Sequence, residues 1–215
     1  MIINFSHYKG GVGKSTLTLN VATGLNLSGV SVSILDLDGL QSSILFNKLR
    51  EKNGHTPIEC FEVKNEEEMK VLFQQFSADD KILLVDSGGY DSEINRFAML
   101  SADILITPVG PSQVELFALQ KYTDILKQIS EKSGQIFRTN VVINNADIRS
   151  KATITELKHY IQQQSTYLDL YKTVVYSRAD YKKAYASGLG VMELDIGSKA
   201  AFEINQLVKE IQRDF

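Results

Sequence analysis

Short apolar runs alternate with longer stretches of helical periodicity along almost the whole chain. The runs Ile2–Phe5, Val30–Leu35, Ile58–Val63, Ile82–Val85, Ile104–Pro108, Phe137–Ile143 and Thr173–Tyr176 are rich in β-branched and aliphatic residues and predict strands. Between them, apolar residues recur at three- and four-residue steps over Lys14–Leu27, Glu66–Phe76, Ser112–Ser130, Ile154–Gln163 and Ser198–Arg213, which predicts helices. Runs such as Ile82-Leu83-Leu84-Val85 show no polar alternation, so both of their faces are expected to be covered. The fold class that follows is α/β, a doubly wound and mostly parallel sheet flanked by helices. Sizeable loops are expected only around Lys52–Thr56 and after Gln163. No repeat, low-complexity tract or long linker interrupts the pattern, so residues 1–215 are expected to form one domain.

Composition narrows this picture without changing it. With 215 residues, 43% of them apolar, the chain can bury a full α/β core. Cys60 has no second cysteine to pair with, and no Cys or His spacing suggests a zinc site, so a reducing, cytoplasmic setting is expected. No apolar run approaches the roughly 18 residues of a membrane span, and no leader pattern opens the chain, which excludes stable membrane insertion at this level. The net charge of −3 gives little reason to expect nucleic acid, but the charge is unevenly placed. Residues 1–110 carry 9 Lys/Arg against 14 Asp/Glu, whereas Arg138–Lys183 carries 8 against 4, so a local basic surface is compatible with an acidic protein.

The candidate chemistry begins between the first strand and first helix, in SHYKGGVGKST, Ser6–Thr16. It nearly matches the phosphate-binding pattern G-x-x-x-x-G-K-[ST], with Tyr8 where a glycine is asked for and an additional lysine, Lys9, beside it. In Lys9, Gly10, Gly11, Val12, Gly13, Lys14, Ser15 and Thr16, the glycines allow backbone N–H groups to curl around phosphate oxygens. The helix N-terminus adds partial positive charge, Lys14 can reach the outer phosphates, and Ser15 can hold Mg2+. The acidic counterpart belongs at the C-terminal end of a neighbouring strand. Asp86, after Ile82–Val85 and before Ser87-Gly88-Gly89, has the Walker B form. Asp36 and Asp38 follow Ser33-Ile34-Leu35; two residues apart on an extended chain, they point to the same side. Both can face one Mg2+–nucleotide site, one through metal-bound water and the other by orienting the attacking water, although ordinary turn aspartates would look the same.

These elements together are specific. The K-G-G-x-G-K-[ST]-T loop, the D-x-D after the second strand and the Walker B aspartate resemble the ParA/MinD family of deviant Walker A ATPases, and within it the ParA-type partition and cargo-positioning ATPases. Arg178, Ala184, Gly188, Val191 and Glu193 also follow the family's R-x-x-x-x-x-A-x-x-x-G-x-x-V-x-E tract. The resemblance implies that the cofactors are ATP and Mg2+ and that Lys9 crosses a nucleotide-sandwich homodimer to the other subunit's phosphates. It implies that Lys14 acts within its own subunit, that Ser15 is a Mg2+ ligand, that Thr16 contacts the α-phosphate, and that Asp38 positions the hydrolytic water. Asp36 and Asp86 match accessory carboxylates on the metal side, and Asn144 a base contact. One departure is visible: where the family often has Pro-Gln after its D-x-D, this chain has Gly39-Leu40 before Gln41.

The function implied is an ATP-dependent dimer that binds DNA non-specifically, becomes nucleoid-associated with ATP, and positions plasmid, chromosome or protein cargo with a partner that stimulates a slow ATPase. Arg149, Lys151, Lys182, Lys183, Lys199, Lys209 and Arg213 are candidate phosphate contacts for DNA. With the loop so near the start, no N-terminal helix-turn-helix is expected. A MinD-like membrane-surface ATPase is the alternative. The stripe of Phe202, Ile204, Leu207, Val208 and Ile211 suits it less than a core-packed terminal helix, because Glu203, Glu210 and Asp214 offset Lys209 and Arg213. A small-molecule ligase of the same superfamily is a third possibility, whereas an iron-sulfur member would need more cysteine than Cys60.

Overall fold

The computed structural model describes residues 1–78 and 81–215. Its strands are β1 (Ile2–Phe5), β2 (Val32–Asp36), β3 (Glu59–Phe61), β4 (Ile82–Asp86), β5 (Ile104–Val109), β6 (Thr139–Ala146) and β7 (Leu168–Tyr176). The helices are α1 (Lys14–Leu27), α2 (Ser42–Lys52), α3 (Glu66–Ala78), α4 (Glu93–Ser101), α5 (Gln113–Ser133), α6 (Lys151–Gln163), α7 (Ala179–Ala186), α8 (Val191–Leu194) and α9 (Lys199–Ile211). Among the described residues the seven strands form one sheet in the order β3-β2-β4-β1-β5-β6-β7, with parallel pairing throughout.

The unbroken apolar runs are explained by a core on each face, with successive residues of one strand going to opposite sides. Ile3, Phe5, Ile34, Leu84, Ile106 and Val142 pack with α1 and α9. On the other face, Leu105, Val141 and Ile143 pack with α5 and α6, and Ile2, Leu35, Leu83 and Val85 pack with α3. The position of β1 between β4 and β5 makes it the point where the chain's winding reverses, the place where open parallel sheets form a ligand crevice.

The differences from the expected elements are local. The Ser42–Lys52, Glu93–Ser101, Ala179–Ala186 and Val191–Leu194 helices were not expected from periodicity. The segment after Gln163 is only a turn, because β7 begins at Leu168 rather than Thr173. On α9, Ile204, Leu207, Val208 and Ile211 are buried as the stripe predicts, but Phe202 is 63% exposed. It stands about 200° around the helix from Ile204, outside the buried arc. Among the described residues no helix is long and apolar enough to cross a membrane.

Candidate functional site

Strand ends gather the chemistry. Phe5 of β1 and Asp36 of β2 both lie level with Asp86 of β4, so the chain leaves these three strands at one edge of the sheet. From Phe5 it runs through the glycine-rich loop into α1. Gly11 and Gly13 have φ of 79° and 98°, the left-handed region that glycine enters without strain. A Cβ on Gly13 would also lie 2.2 Å from Asn144 Nδ2, which donates to the Val12 carbonyl at 2.8 Å. Asn144, buried at the mouth of β6, thus braces the loop from beneath. Above it the loop is open: a Cβ on Gly10 or Gly11 would meet no described atom within 4 Å. With no acidic residue in the first turn of α1, the helix N-terminus keeps its positive end for an anion.

The two lysines of the loop go to different places. Lys14 is 5% exposed and donates from Nζ to the Lys9 carbonyl at 3.1 Å. Burial holds its pKa below the usual lysine value, against the opposing charges of Asp86 and Asp38. Lys9 instead forms an ion pair with Glu115 in the first turn of α5. The second carboxylate oxygen of Glu115, Oε2, is buried without a hydrogen-bond partner among the described residues.

The three aspartates lie at, or just beyond, the ends of β2 and β4. Asp86 is fully buried and accepts from Ser15 Oγ at 3.1 Å and from Ser43 Oγ at 3.0 Å. Burial, reinforced by Asp36, pushes its carboxyl up to about 7, while Ser15, Ser43 and Lys14 work the other way. Asp36 accepts the Asp38 N–H at 3.0 Å on one oxygen and the Ser43 and Ile44 N–H groups at 2.9 and 3.3 Å on the other. It therefore caps α2 from outside, where the preceding Gln41 makes no side-chain cap bond. Asp38 is half-buried, and one of its oxygens accepts the Leu40 N–H at 3.0 Å. Behind them, a Cβ on Gly89 would sit 2.5 Å from Gly10 Cα, so the turn after β4 rests against the loop backbone.

This donor set fits a nucleotide with its magnesium ion. Among the described residues no group of three His, Cys, Asp or Glu is arranged to hold a metal alone. A hydroxyl and carboxylate side by side suit an oxygen-preferring ion that keeps water and shares phosphate oxygens. Beside the loop lies a polar cavity of about 180 Å3, lined by Gly11, Val12, Gly110, Glu115, Asn145 and Ser150 among others.

The fold brings the loop, Asp36, Asp38, Asp86 and Asn144 to this one edge. The basic candidates are all exposed but spread over separate elements: Arg149 and Lys151 at the start of α6, Lys182 and Lys183 on α7, Lys199 and Lys209 on α9, and Arg213 after it. The Arg149 guanidinium is engaged by Asp147, its Nε lying 2.9 Å from Oδ1. Ser43, Glu115 and His7 were missed by sequence reading. Ser43 lies only five positions after Asp38, and His7 lies in the loop segment itself, but no local signal marks Glu115.

A family model described as ATPase MipZ matches residues 1–164. The maintenance of carboxysome distribution protein A of Halothiobacillus neapolitanus is 24% identical over 207 residues, 96% of this chain and 94% of that protein. Among solved structures, the MinC:MinD cell division complex of Aquifex aeolicus aligns with a TM-score of 0.75 at 16% identity, covering 99% of this chain and 96% of that one. The McdA–ATP complex of Cyanothece aligns with a TM-score of 0.71 at 15% identity, covering 99% and 96%. At such identities the structural likeness carries the fold, whereas the family match spans well over half of the sequence, including the loop and all three aspartates. The chain belongs to the MipZ family of ATPases, within the ParA/MinD group of partition and positioning proteins.

Proposed function

We propose that this protein is an ATP-driven dimer switch: two copies close over bound nucleotide, Lys9 of each reaches the phosphates held by the other, and the closed dimer binds DNA non-specifically while a partner protein triggers hydrolysis. One observation carries this reading. Lys14 is turned inward beneath the loop, whereas Lys9 is held outside it by Glu115, so the second lysine has no phosphate task in its own subunit. In the proposed site Lys14 and the backbone of Gly10–Gly13 bind the phosphates, Ser15 and Asp86 hold the magnesium ion, and Asp36 supports them by fixing the start of α2. Asp38 orients the attacking water, and Asn144 keeps the loop in shape beside the base. Magnesium supplies charge neutralisation on the phosphates when bound. With no arginine in the loop, turnover by an isolated subunit is slow, and Lys9 arriving from the second copy provides the missing transition-state charge.

DNA serves as the track through the exposed lysines of α6, α7 and α9 together with Arg149 and Arg213, and the ATP-bound form lies on the nucleoid of the cytoplasm. The membrane-surface alternative is less favoured, since α9 commits Ile204, Leu207, Val208 and Ile211 to the core. Nucleotide binding, turnover and dimerisation of three variants test the switch. Lys14→Ala is expected to lose nucleotide binding, Lys9→Ala to bind but not turn over, and Asp38→Ala to accumulate an ATP-bound dimer. Normal hydrolysis by Lys9→Ala would sink the cross-subunit role. ATP-dependent retardation of random-sequence DNA, falling steeply with salt, is expected of the track; ATP-dependent flotation with anionic vesicles and no DNA retardation would reverse the choice.

A further inference from the structure

Directly before the loop, His7 is 1% exposed and stacks on two tyrosines. Its ring centroid is 5.5 Å from Tyr8 and 5.3 Å from Tyr122, at interplanar angles of 23° and 11°. This is a packed aromatic stack, but one atom of it does something packing does not require. His7 Nδ1 accepts the backbone N–H of Lys9 at 3.0 Å, while the carbonyl of Lys9 accepts Lys14 Nζ at 3.1 Å. Both backbone polar groups of Lys9 are therefore tied down from within the loop segment. Its side chain, paired with Glu115, leaves the backbone in a direction set by those two bonds.

We infer that His7 is a positioning residue for Lys9, its Nδ1 holding the backbone so that the lysine side chain can swing between Glu115 and a second subunit from a fixed base. Because Nδ1 accepts, the proton of the neutral ring is on Nε2. That atom is buried without a partner among the described residues, and so is Asn95 Oδ1 of α4. Both residues line one small cavity of about 10 Å3. Asn95 donates in turn to the Tyr90 carbonyl at 2.8 Å, in the turn whose Gly89 rests on Gly10. The histidine thus borders the same cavity as the turn after Asp86. Burial and the neighbouring Lys14 and Lys9 hold its pKa down at about 3, so the ring stays a neutral acceptor under working conditions.

The inference rests on the cross-subunit role of Lys9, and the experiment separates the two. His7→Phe keeps a flat ring in the stack but removes the acceptor; His7→Asn loses the ring but offers Oδ1, bonded to Cγ as Nδ1 is. His7→Phe is expected to bind ATP within about threefold of wild type, yet to lose roughly tenfold in turnover and ATP-dependent dimer, as a displaced catalytic group does. His7→Asn is expected to recover most of both. A purely structural histidine gives the opposite order, with His7→Asn the worse variant, and that order overturns the inference. Lys9→Ala is measured alongside. Impaired Lys9→Ala with normal His7→Phe overturns the inference and leaves the dimer reading standing. Impaired His7→Phe with normal Lys9→Ala overturns both, as does turnover equal to wild type in His7→Phe, His7→Asn and Lys9→Ala alike. Should His7→Phe fail to fold, long-range 1H–15N spectra of wild type decide: His7 is expected to show an unprotonated Nδ1 and a protonated Nε2 between about pH 5 and 8, and a protonated Nδ1 overturns the inference.

Discussion

A lysine side chain is a compact charge on a flexible stem, and where it sits depends on what anchors it. Two lysines within one short loop take separate positions here because their anchors differ: the backbone of the loop holds Lys14, and a carboxylate from α5 holds Lys9. The oddity of a second lysine was legible in the sequence. Its resting place was not, because Glu115 lies 106 positions further on and nothing around it distinguishes it from an ordinary first-turn glutamate. Under the proposed switch, Lys9 leaves Glu115 before it crosses to the other subunit, so the ion pair opposes closure. The pair is partly exposed, with side chains 32% and 16% accessible, and solvent limits its strength. Glu115→Gln, which keeps the shape and removes the charge, is expected to form the ATP-bound dimer at about threefold lower protein concentration, read by light scattering. Dimerisation at an unchanged or higher concentration would mean that Glu115 does not restrain Lys9.

Elements differ in how plainly they can be read. β4 and α1 are visible in the sequence because burial on both sides leaves long apolar patterns. β7 is not, in its first half, because it is the sheet's edge: Asp169 and Lys172 are exposed, and Glu210 of α9 accepts the Lys172 and Thr173 N–H groups at 2.7 and 3.1 Å. A carboxylate from a distant helix completes this strand, which no local pattern records. The Ser42–Lys52 helix is hidden for the same reason, since its cap is Asp36 and its hold on the rest of the fold is Arg50. Arg50 is 6% exposed; its two terminal nitrogens donate to Glu193 of α8 at 2.7 and 3.0 Å, Nη1 also donates to the Gly188 carbonyl, and Nε donates to the Thr56 carbonyl. Because α2 begins four positions after Asp38, this clamp fixes the far end of the segment that carries that aspartate. Arg50→Met leaves a largely buried carboxylate without its cation and is expected to lower unfolding free energy by about 3 kcal/mol in urea titrations. Adding Glu193→Gln should then cost less than it does in wild type, since the unpaired charge is removed. Strict additivity would show that the pair does not act as a unit.

For the molecule as a whole, the sheet does two jobs with one set of strands: its faces bury the two-sided core, and its edge collects groups that burial alone would disfavour. The parallel fold and the loop, with its aspartates, could be read from short segments because each motif carries its strand and helix context with it. The buried polar groups around them required the sheet order, since His7, Asp36, Asp86 and Asn144 come to one end of the sheet only once β1, β2, β4 and β6 are placed. Those groups also set how stability responds to acid. His7 titrates near 6.5 when unfolded and at about 3 in the folded protein, because burial, Lys14 and Lys9 disfavour its charge. Below about pH 6.5 the unfolded chain therefore takes up a proton that the folded protein refuses, and the histidine's contribution to stability declines until about pH 3. Asp86, raised to about 7, acts in the opposite direction over much of this range, so the wild-type profile alone does not isolate the histidine. The difference between wild type and His7→Asn does, because Asp86 is present in both. Across that window the wild type is expected to lose stability relative to the variant by about 1.4 kcal/mol per pH unit, measured by urea unfolding of the nucleotide-free proteins. A difference that stays constant from pH 7 to about pH 4 would show that His7 is not held neutral by the fold.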